Sequence, residues 1–321
     1  MVKRKISEVR SQVRYILNLV FFVGYISYDY RHVGIFKRNE GHIGKVIRYY
    51  HRVEKALSKD PFIQGRGYRA ANSLIHSLSK GHFESEQDQK HVAVALKVLY
   101  DFFMANSDFN SSTYKSFQNL DLFTGSNDEI GGGVLRLDKD FFLSQINSDF
   151  SSLAKSRYSI RYFNGTPVSD ELIMDAINIS SKTPSVCNRQ AWHVWHVKSE
   201  ELVARFMKVH NGFSQEEQNL TNFLVVGMDR RYFSYPLERN QAYTDGGLYS
   251  MSLLYSLTSL GLATCPLNAN LPLRVLKKLK KELDIPGEFT IVMFIAVGHY
   301  KDSNICPYSF RTNGNLKYTV K

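Results

Sequence analysis

Cysteine is scarce in this chain: three in 321 residues, Cys187, Cys265 and Cys306, with no CxxC pair. An odd, widely spaced set argues against a disulfide framework and a cysteine zinc site, and fits a reducing, cytoplasmic compartment. Long apolar runs are missing too. The best candidate, Tyr15–Tyr28, is interrupted by Asn18 and falls short of the roughly 20 residues a spanning helix needs. Tyr28-Asp29-Tyr30-Arg31 offers no small-residue cleavage site after it, so a buried or interfacial helix is expected. The triplet Gly131-Gly132-Gly133 has no strand before it and no Lys-Ser/Thr after it, which excludes a phosphate loop and reads as a flexible connector. His193 and His196 lack carboxylate-rich partners, so no metal site is expected. There is no internal repeat.

What is present is an ordinary globular composition, 43% hydrophobic and 22% charged, with a net charge of +11. The charge is unevenly placed. Residues 1–70 carry 15 Lys/Arg against 5 Asp/Glu, residues 71–150 carry 6 against 11, and the remainder 20 against 14. The first seventy residues therefore form a solvated basic surface or face something anionic. Tyrosines lie among those basic residues (Tyr49, Tyr50, Tyr68), but no recognised nucleic-acid motif accompanies them.

Periodicity predicts a mainly helical N-terminal region over residues 1–130, with helices near 5–28, 39–58, 65–79 and 86–105. A polar stretch from Asn106 to Gly133 reads as a long surface loop, and 131–150 as a linker. From 151 to 321 helices and strands alternate. Ser169-Asp170-Glu171 caps a helix, with acids in its first turn. Trp192–Val197 and Phe223–Met228 read as strands, Ala242–Leu260 as a long helix stopped by Gly261, Leu273–Leu283 as a basic amphipathic helix, and Phe289–Val297 as a central strand.

Two short stretches carry chemistry. Arg157-Tyr158-Ser159-Ile160-Arg161 packs two guanidinium groups and a hydroxyl together, donors suited to a phosphate. Pro184-Ser185-Val186-Cys187-Asn188-Arg189-Gln190-Ala191-Trp192 offers two amides, Asn188 and Gln190, in a turn; amides both donate and accept, which suits the edge of a heteroaromatic ring. Together they describe a nucleotide-like cofactor. Nothing beside Cys187 points to a lowered pKa, so it reads as a packed side chain.

In order and content, these segments resemble the nitroreductase family of flavoproteins. Arg157–Arg161 is similar to its Arg-Arg/His-Ser-x-Arg/Lys motif, and Pro184–Trp192 to its Pro-Ser-x-x-Asn-x-Gln-Pro-Trp turn, with Ala191 in place of proline. Tyr243-Thr244-Asp245-Gly246-Gly247, Gly261-Leu262-Ala263-Thr264-Cys265, and Val297–Tyr300 followed by Ser309-Phe310-Arg311 extend the likeness over about residues 150–315. The resemblance implies an α+β fold, a mostly antiparallel sheet surrounded by helices, acting as a homodimer with FMN at its interface. It implies that Arg157, Tyr158, Ser159, Arg161 and Arg311 address the phosphate and ribityl end, and that Pro184, Ser185, Asn188 and Gln190 address the ring and ribityl hydroxyls. Gly246 and Gly247 would bring backbone N–H groups to the flavin at a helix start, with Asp245 either binding there or capping the helix.

The implied activity is that of an NAD(P)H-dependent oxidoreductase, in which the flavin takes hydride and passes reducing equivalents to an electron-poor or conjugated small molecule. Which substrate, and NADH or NADPH, the sequence leaves open; Val209–Gln241, with Arg230, Arg231, Tyr232 and Tyr235, is the candidate lid. His51-Arg52-Val53-Glu54-Lys55 resembles a His-x-x-Glu-Lys-Gly-Leu signature of a branch encoded with polysaccharide-biosynthesis enzymes, Ala56 replacing the glycine. Its plain alternative is an i, i+3 surface pair. Other functional classes stay in view: a flavin-binding or regulatory protein without turnover, and a basic N-terminal module docking on a membrane or polyanion.

Overall fold

Strand β3 (Asn222–Asp229) is buried along its whole length, as its unbroken apolar run requires of a strand covered on both faces. It pairs antiparallel with β2 (Trp192–Val197) on one side and β5 (Phe289–Gly298) on the other, and β4 (Ala263–Asn268) completes a sheet of order β2-β3-β5-β4. All three pairings are antiparallel; a single parallel bridge joins Ser159 to Thr264 at the β4 edge. This computed structural model describes residues 43–120 (the side chain of Gln87 aside), 131–144, 146, 148–210, 219–233, 238–312 and 318–321, together with Val13, Ile16, Leu17, Val20 and Val23.

The expected α+β class holds. One sheet face packs on helix α9 (Gln241–Ser259) and α7 (Asp170–Ser180) through Leu224, Val226, Tyr249, Leu253, Leu257 and Ile295. The opposite face buries Phe206 of α8 (Glu200–Val209), Phe223 and Phe294, with the Phe206 and Phe223 rings stacked at 4.2 Å. Helix α7 starts as expected, with the Ser169 hydroxyl accepting the N–H of Leu172. Helix α10 (Leu273–Glu282) lies between β4 and β5 in sequence and buries Leu279.

The N-terminal helices form a core of their own. Helices α1 (Ile43–Leu57), α2 (Tyr68–Lys80), α3 (Glu86–Asn106) and α4 (Ser112–Gln118) enclose Val46, Leu74, Leu78, Val98, Leu99, Phe102, Phe103 and Phe117. Helix α4, anchored by Phe117, occupies part of the stretch expected to be loop. Of the helix expected over 5–28, only five residues are described; all are helical and exposed, and the rest of the segment lies outside the described residues. Among the described residues no helix is long and apolar enough to cross a membrane.

The linker expected over 131–150 is structured. It holds β1 (Val134–Asp138), which pairs antiparallel with the C-terminal β6 (Ser303–Pro307), and the short helices α5 (Lys139–Leu143) and α6, which runs from Phe150 to Ser156. The glycine triplet before it is a packed crossing and no flexible connector. A Cβ on Gly131 would sit 2.5 Å from the Tyr308 ring, and one on Gly133, where φ is +84°, would sit 2.5 Å from Asp101 Oδ2. Sequence patterning missed this because close approach leaves no periodic trace.

Candidate functional site

Where α6 ends, the chain turns extended and the Ser159 bridge lays residues 157–161 against the β4 edge, with Ile160 N–H bonding Thr264 O at 2.9 Å. Ile160 is buried at 2% exposure, while Arg157, Tyr158 and Ser159 line a cavity of about 540 Å³. Its other walls come from Lys155, from Met251 and Tyr255 of α9, and from the tail after β6, which brings Tyr308, Phe310 and Arg311. Among the described residues, three cations and no carboxylate line this space. Arg157 Nη1 is buried without a hydrogen-bond partner. Burial lowers the Arg157 pKa, and the Arg311 charge pushes the same way. A half-buried arginine with a buried, unused Nη1 donor, close enough to feel a second arginine, is a site that an anion would complete. Arg311 itself donates from Nη1 to Ser309 O at 2.7 Å.

Arg161 departs from expectation. It is absent from the cavity lining and donates from Nη1 to Ser159 O at 3.1 Å. It lies within electrostatic reach of Lys55 on α1, whose pKa falls through burial first and the Arg161 charge second. The basic pentapeptide is therefore divided, Arg157 and Ser159 toward the cavity and Arg161 toward the helical region.

The second stretch forms a tight turn at the other end of the same helix. Cys187, Asn188 and Gln190 all have φ between +50° and +54°, a conformation non-glycine residues seldom adopt. Three such residues within four positions cost energy that the surroundings must offset, and such clusters occur at functional sites. Here the turn is tied at several points. Ser185 Oγ accepts Gln190 N–H at 3.0 Å, and Gln190 Nε2 donates to Asn188 Oδ1 at 3.1 Å. Arg189 pairs with Glu238 at 2.7 Å and donates to Tyr232 O at 2.9 Å. Pro184, Asn188 and Gln190 are exposed, leaving both amides accessible. Ala191 is buried against Met228 and Ala242, so the position that differs from the family pattern is filled by packing.

Asp245 resolves its two readings differently from either. It is 1% exposed, and both oxygens are occupied: Oδ2 accepts Val186 N–H at 3.1 Å and Oδ1 accepts Gln241 Nε2 at 2.7 Å. It neither caps the helix nor faces open space; it fastens the turn to α9. Gly246 and Gly247 are not at a helix start. Helix α9 begins at Gln241, so their N–H groups fall in the i→i−4 ladder and lie beyond the first turn, where the helix dipole acts. Their role is steric. A Cβ on Gly246 would meet Val292 at 2.7 Å, whereas one on Gly247 would meet nothing within 4 Å. Gly247, Met251 and Tyr255 share one stripe of α9, spaced by four residues and about 12 Å from end to end. That stripe runs from the polar turn to the cationic cavity. Met251 and Tyr255 were not anticipated, although continuing the glycine's four-residue spacing would have found them.

Residues 154–228 match the Nitroreductase family. That match begins at the basic segment and takes in the polar turn, the two features now placed at either end of α9. This segment is therefore similar to the nitroreductase family. A curated relative, the "Putative NADH dehydrogenase/NAD(P)H nitroreductase" of Archaeoglobus fulgidus, is 25% identical over 147 residues, which is 46% of this chain and 83% of the relative. Among solved structures, a nitroreductase family protein from Clostridium novyi NT is 20% identical, covering 48% of this chain and 86% of its own, with a TM-score of 0.43. A nitroreductase with bound FMN from Desulfitobacterium hafniense DCB-2 is 22% identical, covering 51% and 94%, with a TM-score of 0.38. In this C-terminal domain the expected lid is partly accounted for otherwise. Arg230 donates to the carbonyls of Gly287 and Glu288, and Arg231 pairs with Asp229 and Glu288, so both brace the end of β3 against the start of β5. Tyr232 is half exposed, and Tyr235 lies outside the described residues.

Among the described residues no cluster of three or more His, Cys, Asp or Glu could hold a metal ion. His196 instead bonds Asp170 at 2.9 Å and Asn222 at 3.0 Å. The surface-pair reading of His51 and Glu54 fails. Glu54 is fully buried, its Oε2 3.1 Å from His51 Nδ1 and its Oε1 without a partner.

Proposed function

We propose that this chain binds FMN along the α9 stripe and uses NAD(P)H to reduce an electron-poor or conjugated small molecule in a ping-pong cycle. One observation carries the reading: a cavity walled by Lys155, Arg157 and Arg311, with no carboxylate among the described residues and with Arg157 Nη1 unsatisfied. Arg157, Ser159 and Arg311 would hold the phosphate. Asn188 and Gln190, at the other end, would meet the polar edge of the ring, and the open side of Gly247 leaves room for a flat group to lie against the helix. FMN, when bound, supplies hydride acceptance and donation; the protein's residues bind it, orient it and restrict water.

Tyr243, Leu248 and Met174 are exposed on α9 and α7, and Phe150 is exposed on α6, at 56%, 47%, 55% and 67%. These apolar groups support a homodimer that covers the open side of the site. The separate helical core supports reading 1–130 as a region distinct from the flavin domain of 151–321, and the buried Glu54 favours the branch carrying the His-x-x-Glu-Lys signature. Unpaired cysteines fit a cytoplasmic setting.

The test is the spectrum of the purified protein. Flavin bands bleached by NADH or NADPH under anaerobic conditions are expected. A colourless protein that fails to take up added FMN would overturn the proposal.

A further inference from the structure

The tail that carries Arg311 leaves the α+β domain and is held by the helical region. Past β6, Tyr308 N–H bonds Gly133 O at 3.1 Å, and the chain turns at Ser309, where φ is +54°. Phe310 then packs onto the core of the N-terminal helices and meets the His91 ring edge-on at 5.5 Å. Thr312 Oγ1 lies 3.0 Å from His91 Nε2, and the other ring nitrogen, Nδ1, lies 3.0 Å from the Tyr50 hydroxyl. Tyr50 and His91 are 2% and 4% exposed. The residues on both sides of Arg311 thus rest on one imidazole, itself oriented by a tyrosine on a different helix.

Arg311 is exposed, and a long cationic side chain on an unsupported tail would lose much rotational freedom on binding an anion. Fixing the backbone on either side removes part of that cost in advance, as pre-organisation does in other binding sites. His91 meets the tail through Phe310 and Thr312, and Tyr50 bonds the far side of the His91 ring. We propose that Tyr50 and His91 are positioning residues for Arg311, so that the N-terminal helical region completes the phosphate end of the flavin site. The inference rests on the reading of that cavity as the FMN phosphate site.

Riboflavin provides the discriminating probe, since it keeps the ring and ribityl chain and lacks the phosphate. Dissociation constants for FMN and riboflavin should be measured by fluorescence on the full-length protein, on Thr312→Val, Tyr50→Phe and Arg311→Ala, and on Thr312→Val combined with Arg311→Ala. Thr312→Val and Tyr50→Phe should each weaken FMN roughly 3- to 10-fold, the scale of one hydrogen bond, and leave riboflavin unchanged. In the Arg311→Ala background, Thr312→Val should add nothing further. Equal losses for both flavins, additive losses with Arg311→Ala, or unchanged FMN affinity would overturn the proposal. Thr312→Val keeps the test valid should Tyr50→Phe fail to fold. If the unmodified protein binds FMN no tighter than riboflavin, the phosphate site itself is misplaced and both readings fall. A phosphate preference that Arg311→Ala abolishes and Thr312→Val leaves intact sinks only this one.

Discussion

Asp245 and Val186 are 59 residues apart in sequence, and the carboxylate of the first accepts the backbone N–H of the second at 3.1 Å inside the protein. This contact joins the helix that carries the glycine stripe to the turn that carries the two amides. Asp245→Ala should therefore release the turn, whose left-handed residues gain from being held. A hydrogen bond to a charged acceptor is worth about 1.5–3 kcal/mol, so FMN and riboflavin should both bind roughly tenfold or more weakly. Asp245→Asn keeps an acceptor and should fall between. Equal loss for the two flavins separates this ring-end effect from the phosphate-end effect of Arg311; flavin titration that shows no change in Asp245→Ala would reject it.

Gly246 and Gly247 are neighbours with opposite surroundings. An added methyl at 246 would collide with Val292 and Met228, overpacking a filled core at a cost of about 1–3 kcal/mol. At 247 the methyl meets open space, and exchanging helical glycine for alanine favours the helix by about 0.8–1 kcal/mol. We expect Gly246→Ala to lower the melting temperature and Gly247→Ala to raise that of the flavin-free protein. If a flat group lies against that side of α9, Gly247→Ala should at the same time weaken flavin binding. Greater stability with flavin affinity intact would place the ring elsewhere.

These two glycines also show which parts of the structure the sequence could convey. The segment Asp245-Gly246-Gly247 was legible as part of a ligand-binding helix because its composition is unusual. The helix start was legible to within one residue, Ala242 against the observed Gln241, yet the glycines, four and five positions beyond Ala242, were still read as lying at it. The buried strands β3 and β5 were readable from their apolar runs alone. The pairing of β1 with β6 was not, because it joins residues about 170 positions apart and Val134–Asp138 is too short and too mixed to stand out. Arg157 and Arg161 look equivalent in sequence; only the packing of α1 against the domain separates them.

His51 and Glu54 lie one turn apart on α1, and the carboxylate is fully buried with one oxygen unsatisfied. Removing the histidine leaves that carboxylate with no partner, so His51→Ala should destabilise the protein by about 2–4 kcal/mol, short of the largest buried-pair losses because His51 is partly exposed. Replacing both groups with apolar ones of similar size, as in His51→Leu with Glu54→Met, should recover most of that loss. Urea denaturation of the two variants measures the difference. A double variant no more stable than His51→Ala would mean that Glu54 supports the fold through something other than this pair.

His210 closes α8, where its N–H bonds Phe206 O, and its Nε2 donates to Asn268 O at 2.9 Å. Burial lowers its pKa; the Asn268 carbonyl opposes the shift, and the charge of Lys55 from the helical region adds to it. His196 is shifted down by burial as well, against the partly offsetting Asp170. A histidine whose folded pKa lies below the unfolded value of about 6.5 binds fewer protons in the folded state between those two values. Stability therefore rises with pH across that interval and is lost as pH falls from about 6.5 toward the folded pKa. Melting temperature should decline as the buffer is taken from pH 7.5 to 5.5. His210→Gln retains a donor for Asn268 O and cannot titrate, so its decline should be shallower, His196 supplying what remains. An identical slope in the variant and the parent would show that His210 is not among the groups whose protonation opens the fold.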